Sequence, residues 1–127
     1  MDSADLALVA RAAEARKRAV CDVSGYAVGA ALRTLDGAIF SGCNVENIVL
    51  GETCCAEKVA LLKAISEGGR SFETVAVFTS SSPPASPCGS CRQLLWHWGV
   101  TRVLSGNPEG ETVTWTVAEL LPGAFKI

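Results

Sequence analysis

The chain has 127 residues, 49% of them apolar, with 11 basic and 13 acidic side chains, one His and a net charge of −2. That length predicts one domain over residues 1–127 with a core that needs no disulfide staples. No apolar run reaches the roughly 18 residues of a membrane span, and the acidic balance offers no footprint for a nucleic-acid polymer. The start, Met1-Asp2-Ser3, lacks the basic and apolar segments of a secretory leader, so a cytoplasmic location is expected.

In chain order, residues 3–20 read as a helix. Leu6, Val9, Ala10 and Ala13 recur at helical spacing, Ser3 and Asp5 suit the start, and Arg16-Lys17-Arg18 forms a basic last turn. Residues 27–33 and 38–43 are β-compatible runs joined through Leu35-Asp36-Gly37, a hairpin signal. A loop over 44–52 leads to a second helix over 53–67, expected to bury Val59, Leu62 and Ile65 and to pair Lys63 with Glu67. The apolar run 74–79 reads as a buried strand. A Ser/Pro-rich loop over 80–87 then precedes a third helix over 88–97. Strands at 102–104 and 112–116 and a short helical turn at 117–121 complete the pattern. The order α-β-β-α-β-α-β-β-α predicts an α/β fold, a three-layer α/β/α sandwich around a mixed five-stranded sheet.

Six cysteines, at 21, 43, 54, 55, 88 and 91, stand in a chain with an ample core, so metal binding or chemistry competes with a disulfide framework. Cys88 and Cys91 form a C-x-x-C at a loop-to-helix junction, where thiolates three apart lie on one side and the helix start favours their ionisation. That pair alone is shared with thioredoxin-like redox motifs. Cys55, also at a predicted helix start, supplies a third thiolate and leaves a tetrahedral ion one open position for water. Glu57, two residues on, is placed to move that water's protons, the combination a zinc deaminase requires. Cys54 lies one helical step, roughly 100°, from Cys55 and points elsewhere. Cys21 and Cys43 read as packing residues, and His97, between Trp96 and Trp98, as structural. The bland alternative for Cys55, Cys88 and Cys91 is three buried apolar thiols.

From about residue 21 to 125 the sequence resembles the small homotetrameric cytidine deaminases. The resemblance rests on Val28-Gly29-Ala30-Ala31, Gly42-Cys43-Asn44-Val45-Glu46-Asn47, Cys55-Ala56-Glu57, Pro87-Cys88-Gly89-Ser90-Cys91-Arg92-Gln93 and Glu119-Leu120-Leu121-Pro122-Gly123-Ala124-Phe125. It implies one Zn²⁺ per chain on Cys55, Cys88 and Cys91, Glu57 as proton shuttle, and deamination of cytidine and 2′-deoxycytidine in pyrimidine salvage. It further implies that Asn44 and Glu46 hold the ribose, that Tyr26 (where the family usually has Phe) and Ala56 contact the nucleoside, and that Phe125 covers the base of a neighbouring subunit's site in a homotetramer.

Three positions depart from the pattern. Lys58 replaces an Arg that offsets thiolate charge, while Leu50 and Val23 replace tyrosines. Lys58 and Arg92 are the candidates to balance charge, since three thiolates around a dication leave about one net negative charge. Two rival readings stay open: a relative acting on another cytosine-bearing nucleoside such as blasticidin S, and a non-catalytic zinc-stabilised module. The latter wants a fourth protein ligand that the sequence does not offer.

Overall fold

Strands β1 (Gly29–Thr34), β2 (Ile39–Cys43), β3 (Phe72–Phe78), β4 (Arg102–Gly106) and β5 (Thr112–Thr116) form one mixed sheet in the order β2-β1-β3-β4-β5. The structure is a computed structural model describing residues 1–127. Only β3 and β4 run parallel, and a parallel pair needs a crossover, which helix α3 (Gly89–His97) provides. Helix α1 (Ser3–Arg16) covers one face, while α2 (Ala56–Ser66), α3 and the short α4 (Val117–Leu120) belong to the other.

Strand alternation divides the core between the two faces. Ala31, Ala76 and Leu104, in register across β1, β3 and β4, pack with Leu8, Val9 and Ala12 of α1. Their neighbours Ala30, Leu32, Val75, Val77 and Val103 pack with Ala60, Leu61, Ala64 and Leu95 from α2 and α3. Two glycines allow close helix approach: a Cβ on Gly29 would stand 1.9 Å from the Ala12 carbonyl oxygen, and one on Gly42 would stand 2.7 Å from the Ala60 nitrogen.

The strands and the element order match the expectation, with shifted helix limits and faces. Helix α1 ends at Arg16 and is capped by Asp2, whose Oδ1 accepts from the Asp5 amide at 2.8 Å. It buries Leu8, Val9, Ala12 and Ala15, whereas Leu6 and Ala10 are exposed. Helix α2 begins at Ala56 and buries Ala56, Ala60, Leu61 and Ala64; Leu62 is exposed, and Lys63 donates to the Ser41 carbonyl instead of pairing with Glu67. Alanines share the contact stripe with Leu8 and Val9 in α1 and with Leu61 in α2, while Leu6 and Leu62 lie outside it, so large apolar residues alone do not mark it. Small side chains let each helix lie close to the strands.

Asp5, expected to serve only the helix start, is buried. It accepts from Arg102 at 2.7 Å and Arg33 at 3.2 Å, and Arg33 also reaches Glu73 at 2.9 Å. These residues tie together the start of α1, the end of β1 and the starts of β3 and β4. The opposite end of the sheet, where β3 and β4 finish, is left for the site.

Candidate active site

Helices α2 and α3 both begin at a cysteine. Cys55 and Cys88 occupy the N-cap positions in extended backbone, and neither thiol caps its own helix. Cys91 stands in the first turn of α3 and is buried. The three Sγ atoms lie within 4.8 Å of one another, with Cys55 and Cys88 3.8 Å apart. A tetrahedral zinc with bonds of about 2.3 Å holds its sulfurs roughly 3.8 Å apart, so the cluster fits that ion. Two helix starts aim their partial positive charge at the same spot, which suits a cluster of thiolates.

Cys55 is drawn down to about 6, first by a hydrogen bond from the Cys91 thiol, with Cys88 and the charge of Lys58 adding. Cys91 moves up, because it keeps the proton it donates to Cys55 and is buried. A cation among the three sulfurs displaces such shared protons. Cys54, Cys21 and Cys43 stay outside the cluster, and all six thiols are free. His97 is exposed and meets Trp98 edge-on at 5.6 Å.

Glu57, in the first turn of α2, is 5% exposed. Burial raises its carboxyl to about 7, and the charge of Cys55 adds to the rise. It lines a cavity of about 340 Å³ together with Cys55, Ala56 and Cys88 at the two helix starts and with Ser24, Tyr26, Asn44 and Glu46 from the 24–26 and 44–46 segments. Backbone pairing of Val45 with both Val20 and Cys54 fixes the 44–46 segment beside Cys55.

In those two segments the polar groups are already engaged. Asn44 accepts from the Val28 amide at 2.9 Å and donates to the Tyr26 carbonyl at 2.8 Å. Glu46 accepts from the Ser24 hydroxyl at 2.5 Å and from the amides of Ser24 and Val23 at 2.9 and 3.1 Å. The Ser24 hydroxyl foremost, then these amides, hold its carboxyl below the usual range. Ser24 was not among the residues expected here; a lone serine in a loop carries no spacing signal.

Three expected residues lie off the cavity. Arg92 donates to the Pro87 carbonyl at 2.7 Å, the Ser86 hydroxyl at 2.7 Å and the Leu120 carbonyl at 2.9 Å, so it braces the loop before Cys88 and gives no hydrogen bond to sulfur. Lys58 is exposed and acts on Cys55 only through charge. Phe125 is 70% exposed and beside Gln93, whose side chain bonds both its amide and its carbonyl, at 3.2 and 2.8 Å. Within one chain it faces a depression shared with Lys58, away from the cavity.

Comparison with known proteins agrees with this geometry. Residues 2–107 match the family described as the cytidine and deoxycytidylate deaminase zinc-binding region. A cytidine deaminase of Sporosarcina psychrophila is 45% identical over 120 residues, covering 93% of this chain and 88% of that protein. The crystal structure of a cytidine deaminase from Burkholderia pseudomallei superposes with a TM-score of 0.91 at 39% identity, covering 98% of this chain and all of the other. A blasticidin-S deaminase of Bacillus cereus is 33% identical over 103 residues, covering 75% of this chain and 74% of that protein.

Proposed function

The chain belongs to the cytidine and deoxycytidylate deaminase family, and from that premise we propose how its cavity works. The activity is the zinc-dependent hydrolysis of cytidine and 2′-deoxycytidine to the uridine nucleosides and ammonia, a reaction of pyrimidine salvage. The observation that carries this reading is a buried carboxylate, Glu57, sharing one cavity with thiols at tetrahedral spacing.

Cys55, Cys88 and Cys91 hold the single ion. Zn²⁺ bound there supplies the Lewis acidity that makes water a nucleophile at neutral pH. Glu57 takes a proton from the attacking water and delivers one to N3 as oxygen bonds to C4. Its carboxylate then takes the second proton, from the hydroxyl now on C4, and passes it to the amino group. The C4–N bond breaks, the C4 carbonyl forms and ammonia leaves. A carboxyl group raised by burial suits a role that alternates between base and acid.

Across the pyrimidine ring from C4 stands N1, so the sugar lies at the far end of the cavity. Glu46 and Asn44 receive it there, while Ala56 and Tyr26 form walls beside the base. The cavity is lined by two carboxylates and by no Lys or Arg, which favours a neutral sugar over a 5′-phosphate. Lys58 offsets the negative charge of the thiolates from outside.

Phe125 completes the site of a neighbouring copy in a homotetramer. It is exposed and turned from its own cavity, and Val23, Ile48, Val49 and Leu50 form further exposed apolar surface suited to subunit contact. No helix is long and apolar enough to cross a membrane. Six free thiols suit the reducing cytoplasm.

The test is ammonia release from cytidine, 2′-deoxycytidine, cytosine, deoxycytidylate, blasticidin S and adenosine, with zinc analysis of the same preparation. The two nucleosides should turn over fastest, with near one zinc per chain. A preference for deoxycytidylate or blasticidin S, or an active enzyme without zinc, would overturn the assignment.

A further inference from the structure

The 21–27 segment and the 79–87 loop both line the cavity, and one side-chain contact joins them. The Tyr26 hydroxyl and Ser81 Oγ lie 2.5 Å apart, 55 residues distant in sequence. Both partners are fixed independently of that contact. The Tyr26 amide donates to Ser24 Oγ at 3.0 Å, and its carbonyl accepts from Asn44 at 2.8 Å. Ser81 donates its amide to Thr79 Oγ1 at 3.1 Å and accepts at its carbonyl from the buried Asn107 at 3.0 Å. The loop is fastened again where Ser105 donates to the Ala85 carbonyl at 2.6 Å.

The Tyr26 ring therefore spans two anchored pieces of chain and forms part of the cavity wall while remaining 37% exposed. Without its hydroxyl contact, such a ring retains rotamer freedom that a ligand must remove on binding. We propose that Ser81 is a positioning residue for nucleoside binding: it pins the Tyr26 hydroxyl and so holds the ring as a preformed wall of the cavity. This rests on the deaminase reading above. Ser24 extends the arrangement, since its hydroxyl donates to Glu46 while accepting from the Tyr26 amide. One hydrogen-bonded chain, Glu46–Ser24–Tyr26–Ser81, thereby ties the recognition carboxylate to the wall.

A wall contacts the ground state and the transition state alike, so its loss should raise KM and leave kcat nearly unchanged. Ser81→Ala removes no backbone anchor of the loop, and Ser81→Thr keeps the hydroxyl. For Ser81→Ala we expect KM for cytidine to rise about 3–10-fold, the range one neutral hydrogen bond supports. Ser81→Thr should restore it, and Tyr26→Phe should raise KM by a similar factor. Adding Ser81→Ala to Tyr26→Phe should change nothing further, because the contact is already gone. An unaltered KM in Ser81→Ala, a fall confined to kcat, or an equal loss in the Tyr26→Phe background would overturn the proposal. Wild-type turnover of cytidine, measured alongside, separates failure of this inference from failure of the deaminase assignment.

Discussion

The two ends of the cavity are built on opposite plans. At the metal end the polar groups are kept without ordinary partners: three thiols crowd together, and Glu57 is buried with only its own backbone amide acting to lower its pKa. At the end proposed to take the nucleoside's sugar, Asn44, Glu46, Ser24 and Tyr26 are all bonded to neighbouring chain before any ligand arrives. Groups that must change protonation state are held ready by burial, which costs stability that the surrounding core offsets. Groups that only recognise a shape are held in place by hydrogen bonds, which set geometry without altering reactivity. Substitutions at the first end should therefore act on kcat or metal content, and at the second on KM.

The largest effect belongs to Glu57→Gln. It should lower kcat by at least about 10²–10⁴-fold while zinc content and the thermal midpoint stay close to wild type. A variant retaining a third of the wild-type kcat would remove Glu57 from proton transfer and collapse the contrast. Glu46→Gln should act in the other parameter, raising KM for cytidine by roughly 10–100-fold at nearly unchanged kcat, the value of hydrogen bonds to a charged group. The free base cytosine should be indifferent to that change, and an equal loss on base and nucleoside would show that Glu46 does not read the sugar.

Removal of residues 125–127 should raise KM about 10-fold, matching a lost aromatic contact of about 1.4 kcal/mol, with zinc unchanged. A monomer in sedimentation, or an unaltered KM, would place Phe125 outside every site. Lys58→Ala should reduce zinc retention against a chelator only about 2–5-fold, because its charge acts through solvent. Lys58→Arg should preserve or improve retention by adding a planar donor. Wild-type behaviour of Lys58→Ala would make it a plain surface residue.

Asp5 provides the control, far from both ends. Its carboxyl lies at about 2, against an ordinary 3.8, held there first by Arg102 and opposed by burial. A depressed folded pKa means that its stabilisation is complete above about pH 5 and is lost as pH falls toward 2. Asp5→Asn should lower stability at neutral pH by roughly 1–3 kcal/mol, flatten the acid limb of urea midpoints between pH 5 and 2, and leave KM for cytidine unchanged. A shift in KM would join the two ends of the sheet in a way the contacts do not.

The metal end was legible because its chemistry is written in short spacings: Cys88 and Cys91 three apart, Cys55 and Glu57 two apart, each pair at a helix start. The strands were legible from their apolar runs and from the Asp36-Gly37 turn. The faces of α1 and α2 were not, because alanines share the contacts and Leu6 and Leu62 stand outside. Arg92 was read as a counter-charge from its place beside Cys91, yet its donors satisfy carbonyls that no local pattern announces. The Asp5–Arg102 pair joins residues 97 apart, and the Tyr26–Ser81 pair residues 55 apart. Contacts of that kind exist only once the sheet has brought the segments together.

The Arg92 bridge has a consequence for the order in which the molecule is made. Synthesis delivers Cys55 first, Cys88 and Cys91 more than thirty residues later, and the Leu120 acceptor of Arg92 nearly thirty residues after those. An emerging chain thus owns all three sulfurs before it owns the last fastening of the loop that presents Cys88. A chain cut before residue 117 keeps all three sulfurs and loses that acceptor, so it should hold the ion more loosely than the intact protein.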